Sequence, residues 1–128
     1  MPLVRISLKQ GKSPSDLASI GESIHRAMVE TINVPADDRF QIFTQHSREE
    51  LVYDPAYLGI RRSDDVVLIQ ITLNAGRTVE MKRALYSAIA EKLSKDPGLR
   101  KEDVLVNLVE VPKENWSFGN GEASYAKE

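Results

Sequence analysis

Apolar and polar residues alternate over Leu3-Val4-Arg5-Ile6-Ser7-Leu8, the period of a half-buried strand. The same order returns 65 residues later in Leu68-Ile69-Gln70-Ile71-Thr72-Leu73, so the chain carries an internal repeat. Gly11-Lys12-Ser13 falls on Gly76-Arg77-Thr78, and the apolar stripe Ile20, Ile24, Met28 falls on Leu85, Ile89, Leu93 at helical spacing. Val34 and Asp38 fall on Leu99 and Asp103. Each half therefore reads strand, helix, strand, closed by Phe40 to Gln45 and by Val104 to Val111.

Local chemistry marks the boundaries. Ser13 is placed to cap the first helix, Pro14 suits its first turn, and Asp16 complements the positive end of the helix dipole; Thr78 and Glu80 repeat this in the second half. Asn33-Val34-Pro35 and Asp96-Pro97-Gly98 stop the helices, because proline cannot continue one and disfavours helix just before itself. Two right-handed β-α-β units predict an α+β fold, with one four-stranded mixed sheet and both helices on one face. A single domain over residues 1–128 is expected, with pseudo-repeats of about 1–64 and 65–128.

That arrangement leaves a sheet face bare. Alternation assigns to it Leu3, Arg5, Ser7, Leu68, Gln70, Thr72 and one side of Leu105-Asn107-Val109, too apolar a mixture for permanent exposure, so a partner subunit is expected there. The connection 46–64 and the tail 112–128 are candidates to dock at the same boundary.

Composition then removes whole classes of chemistry. Net charge is −2 with scattered basic residues, which excludes an electrostatic footprint for nucleic acid. Cysteine is absent, so thiolate nucleophiles, disulfides and thiolate metal sites are excluded; His25 and His46 lack ligand spacing and are expected at the surface. No metal or cofactor is expected. With no signal-peptide-like or membrane-spanning apolar run, the expectation is a soluble, cytoplasmic protein with no membrane partner.

One residue offers cofactor-free chemistry. Removal of Met1 would make Pro2 a free secondary amine; a model α-amino group titrates at about 7.7 to 8.0, and apolar burial lowers that value. Pro2 can then act as a base near neutrality, or it is simply the first residue of a strand, where proline is tolerated.

The Met-Pro-Leu start, the β-α-β duplication, Val34-Pro35-Ala36-Asp37-Asp38-Arg39-Phe40 and Asn115-Trp116-Ser117-Phe118-Gly119-Asn120-Gly121 together resemble the tautomerase superfamily, and within it the malonate semialdehyde decarboxylase group. The resemblance spans essentially the whole chain. It implies a homotrimer and catalysis by Pro2, a proton shuttle in tautomerases and a general acid in the decarboxylase and dehalogenase branches. It also implies that Asp38 assists the proline, although its repeat partner Asp103 favours a plain turn role. The decarboxylase pattern has two arginines after the third strand, where this chain has Asn74 and Gly76, with Arg77 displaced by one residue.

That departure bears on reaction type, since polarising a carbonyl while holding a carboxylate suits paired guanidinium groups. Arg77 stands before the second helix, where a cation opposes the dipole, and reads either as a carboxylate anchor or as a solvated surface group. Asn74 either bonds a substrate oxygen or ends its strand; Trp116 and Phe118 either wall the site or pack a core. The expectation is a homotrimeric, cofactor-independent keto-enol tautomerase of small 2-oxo acids, with Pro2, Asp38 and Arg77 catalytic and Asn74, Trp116 and Phe118 binding substrate. The alternatives are a decarboxylase or hydratase using protonated Pro2, and a non-catalytic trimer that binds an organic acid or a protein. Retention of Met1 would favour the last, because an acylated nitrogen has no basic lone pair.

Overall fold

A computed structural model describes residues 2–125. The elements run β1 (Leu3–Lys9), α1 (Pro14–Ile32), β2 (Gln41–His46), β3 (Val67–Asn74), α2 (Val79–Lys95) and β4 (Val104–Val111), with short 3₁₀ turns at Tyr57–Gly59, Lys101–Asp103 and Lys113–Asn115. α1 opens on a full capping box: the Asp16 amide donates to Ser13 Oγ at 3.1 Å, and the Ser13 amide to Asp16 Oδ2 at 3.4 Å. It ends where Asn33 turns left-handed, at a φ of 61°, and donates its amide to Met28 O. α2 uses a single cap, Thr78 Oγ1 accepting from the Met81 amide at 3.2 Å.

The four strands lie in the order β2-β1-β3-β4. β1 runs parallel to β2, β3 parallel to β4, and the two halves join through antiparallel β1 and β3, so the sheet is mixed. Helices from both halves pack into one core with the inward residues of all this sheet's central strands. Ile6, Leu8, Ile20, Ile24, Met28, Ile69, Ile71, Leu73, Leu85, Ile89 and Leu93 are fully buried, each stabilising by about 1.5 to 3 kcal/mol relative to exposure. The apolar stripes of the sequence repeat are this core. β2 begins one residue later than alternation suggests: Phe40 gives its carbonyl to the Val4 amide at 3.0 Å but lies outside the ladder.

The opposite face is bare in the single chain, with Arg5, Ile42, Gln70, Leu105, Asn107 and Val109 exposed along it. No helix among the described residues is long and apolar enough to cross a membrane. At the end of the sheet where β3 begins, charges are spent on one another. Lys9 meets Asp64 at 2.7 Å, Lys12 meets Asp65 at 2.7 Å, and Tyr53 donates its hydroxyl to Asp64 at 2.9 Å.

Candidate functional site

The other end of the sheet gathers the sequence candidates. Pro2 is buried at the head of β1. Antiparallel pairing sets Leu3 opposite Thr72, which brings the start of β1 beside the end of β3 and hence beside Asn74. The Val4–Phe40 bond draws in the loop from Pro35 to Phe40, where a tight turn closes through the Asp38 amide and Pro35 O at 3.0 Å. Asp38 is half-buried. Burial pushes its carboxyl above the usual range, the positive amino terminus draws it back, Asp37 raises it further and His25 lowers it.

Asn74, 9% exposed, is held from two sides. Its Oδ1 accepts from Trp116 Nε1 at 2.8 Å, and its backbone oxygen accepts from Arg77 Nη1 at 3.0 Å. Arg77 Nη2 donates to Ile32 O at 3.2 Å. This corrects the expectation from position alone, that the cation opposes a helix dipole: the guanidinium reaches the negative end of α1, where a cation is favoured. Arg77 is thus neither a free surface group nor wholly available to a ligand. Gly76 explains why no arginine stands there, since its φ of 125° suits glycine and strains any larger residue.

Trp116 stacks on Phe118 with ring centroids 5.3 Å apart, and Phe40 lies 6.5 Å from Phe118. Tyr125 meets Phe118 edge-on at 5.1 Å, because the tail turns back through Gly119, Asn120 and Gly121, all at positive φ. The Phe118 amide bonds Ser124 Oγ at 3.1 Å and closes that turn. Burial raises the Tyr125 phenol above its ordinary value, Asp38 raises it further and Arg77 lowers it, so the ring lies within electrostatic reach of both. Phe40 and Tyr125 were not among the sequence candidates. The Gly-Asn-Gly turn signal is what could have returned Tyr125 to the site.

Pro2, Asp38, Asn74, Arg77, Trp116 and Phe118 therefore converge on one end of the sheet. His25, expected at the surface, is instead 6% exposed, with Nε2 2.9 Å from Ala36 O. The loop carrying Asp38 folds over it. The fate of Met1, like residues 126–128 of the tail, lies outside the described residues. Among the described residues no cluster of three or more His, Asp or Glu side chains could hold a metal ion.

Comparisons with known proteins agree with this fold. One family model described as "Tautomerase enzyme" matches residues 38–119, and a second with the same description matches residues 2–61. The probable tautomerase YusQ of Bacillus subtilis (strain 168) is 46% identical over 96% of this chain and 97% of its own length. The probable tautomerase YrdN of the same organism is 34% identical, over 98% of this chain and 96% of its own. Among solved structures, FG41 malonate semialdehyde decarboxylase inhibited by 3-bromopropiolate superposes with a TM-score of 0.90 at 39% identity, covering 96% of this chain and 93% of that one. A fused 4-OT symmetric trimer shares the fold, with a TM-score of 0.77 at 24% identity over 97% of this chain and 99% of that one. With whole-length relatives, matching family models and the β-α-β duplication in agreement, the chain belongs to the tautomerase family.

Proposed function

We propose that the protein is a cofactor-independent keto-enol tautomerase of small 2-oxo acids that uses mature Pro2 as its base. The observation that carries this reading is that the sheet end where buried Pro2 starts β1 also holds a single tethered arginine, where the decarboxylase pattern has a pair. The neutral amine takes a proton from the carbon beside the carbonyl, and the enol oxygen receives a proton in return; the reverse sequence makes the keto form. Apolar walls from Trp116 and Phe118 favour the neutral amine and exclude water. The bond from Trp116 to Asn74 Oδ1 orients that amide, so its N–H groups can steady the developing oxyanion. Arg77 anchors the substrate carboxylate with the guanidinium hydrogens that Asn74 O and Ile32 O leave over.

The assembly in this reading is a homotrimer working in the cytoplasm. Phe40 is 52% exposed and Phe118 39% exposed in the single chain, which is too wet for such a site unless a neighbour covers them. The bare sheet face offers the surface for that neighbour. Sedimentation at micromolar concentration is expected to give three chains, and a monomer would contradict the assembly.

A second reading has its own support. With Met1 removed, a carboxylate on the turn that the Val4–Phe40 bond draws to the head of β1 would favour the protonated amine, the form a decarboxylase or hydratase needs, and two malonate semialdehyde decarboxylase structures match at a TM-score of 0.90. The test common to both readings is Pro2→Ala, made after intact mass has verified loss of Met1. A drop in kcat/KM on the order of 100-fold with the fold retained is expected. A mature Pro2→Ala protein that matched wild type would remove the amine from the mechanism, whereas a mature wild type with no turnover at all would favour a non-catalytic binding module.

A further inference from the structure

We infer that His25 is a positioning residue that holds the Asp38 carboxylate in the site. His25 sits on α1 and is 6% exposed, yet no step of the proposed reaction uses it. Its Nε2 lies 2.9 Å from Ala36 O, and a carbonyl can only accept, so Nε2 carries the proton. Ala36 is in the turn Pro35-Ala36-Asp37-Asp38, which the Asp38 amide closes on Pro35 O at 3.0 Å. The imidazole therefore pins the middle of the turn while the turn's own bond fixes its end. The backbone that carries Asp38 is thus held at two points.

The remaining nitrogen supports the assignment. His25 Nδ1 is buried without a hydrogen-bond partner among the described residues, so a ring aimed only at its own solvation would be poorly placed. It is retained where it costs desolvation and gives one bond, and that bond goes to the turn that aims Asp38. A leucine or methionine would fill the same space on α1 with no orphaned atom. The turn would then lose the bond at its middle, and displacement of a reacting group by a fraction of an ångström is enough to slow a reaction.

This inference rests on the reading of Asp38 as a member of the site, so the experiment separates the two. Ketonisation of phenylenolpyruvate is followed for wild type, His25→Met, His25→Gln, Asp38→Asn and the double variant His25→Met with Asp38→Asn. His25→Met, which fills the volume without a donor, is expected to lower kcat about tenfold with KM unchanged. His25→Gln, whose amide N–H reaches a similar distance, is expected to restore most of it. Once Asp38 is already Asn, His25→Met is expected to cost nothing further, because it acts only through that carboxylate.

Wild-type kcat in His25→Met beside an impaired Asp38→Asn overturns the inference alone, and so do losses that add in the double variant. An unimpaired Asp38→Asn overturns the role of Asp38 and this inference with it. Should His25→Met fail to fold, nitrogen NMR of the wild-type imidazole decides. A proton on Nε2 supports the assignment, and a neutral ring protonated on Nδ1 overturns it, since Nε2 would then have nothing to donate.

Discussion

The two halves of the chain place chemically similar residues at equivalent positions and use them in opposite ways. Asp103 is fully buried and accepts from the Ser63 amide at 2.6 Å and from Ser63 Oγ at 2.7 Å. Its repeat partner Asp38 stands half-buried, its carboxyl raised by desolvation. Lys12 is spent on Asp65 at 2.7 Å, whereas its partner Arg77 leans on two backbone carbonyls and keeps part of its guanidinium for other work. Val67, the partner of Pro2, lies inside a continuous chain and has no amine to offer. Duplication made two similar sheet ends, and in one of them the charges were closed into structure. A carboxylate satisfied by several donors stabilises, and one left partly desolvated can hold or direct a proton.

The largest contrast between the ends is expected in stability. Asp103→Ala strands the Ser63 amide and hydroxyl and should cost about 3 kcal/mol of unfolding free energy, read by urea denaturation, while kcat stays at the wild-type value. A loss below about 1 kcal/mol would mean that the buried end is not closed in the way its bonds imply. Next comes Arg77→Ala, which should raise KM for a 2-oxo acid by roughly 10- to 100-fold, the loss of a charged hydrogen bond. Freeing Ile32 O should also lower stability by about 1 kcal/mol. If steady-state kinetics leave KM untouched, Arg77 belongs only to the end of α1.

The smallest effect is on the pH dependence of stability at the other aspartate. Because the folded carboxyl of Asp38 is raised, the native state holds its proton more tightly than the unfolded chain. Its contribution is therefore favourable at low pH and is lost as pH rises through the raised value. Asp38→Asn should be slightly more stable than wild type at neutral pH, and the difference should vanish in acid below the ordinary carboxylate range. Thermal melts across that range would show the opposite sign if Asp38 were a stabilising turn residue like Asp103.

Most of the fold was legible because it is local and repeated. Ser13, Pro14 and Asp16 start α1, Asn33 ends it, and the stripes Ile20, Ile24, Met28 and Leu85, Ile89, Leu93 point into the core as their spacing requires. Parts of the site were not legible, because they depend on contacts across long sequence separations. Nothing near Arg77 announces that its guanidinium reaches Ile32 O, 45 residues away. His25 lies outside the i, i+4, i+8 apolar stripe and reads as a surface residue; in the fold it is buried and meets Ala36 O, 11 residues away. Phe40 looked like the start of a strand, and Tyr125 was passed over although the Gly-Asn-Gly turn sends it back onto Phe118.

The central claim is that one tethered arginine and a buried proline suit proton transfer in a 2-oxo acid better than removal of carbon dioxide from a 3-oxo acid. The direct test compares kcat/KM of the mature wild-type protein on two substrates, phenylenolpyruvate followed by its ultraviolet absorbance and malonate semialdehyde followed by release of carbon dioxide. Tautomerisation is expected to be the more efficient by at least roughly 100-fold, the scale of one well-placed catalytic interaction. Decarboxylation that matched or exceeded tautomerisation would contradict the account and assign the site to protonated Pro2.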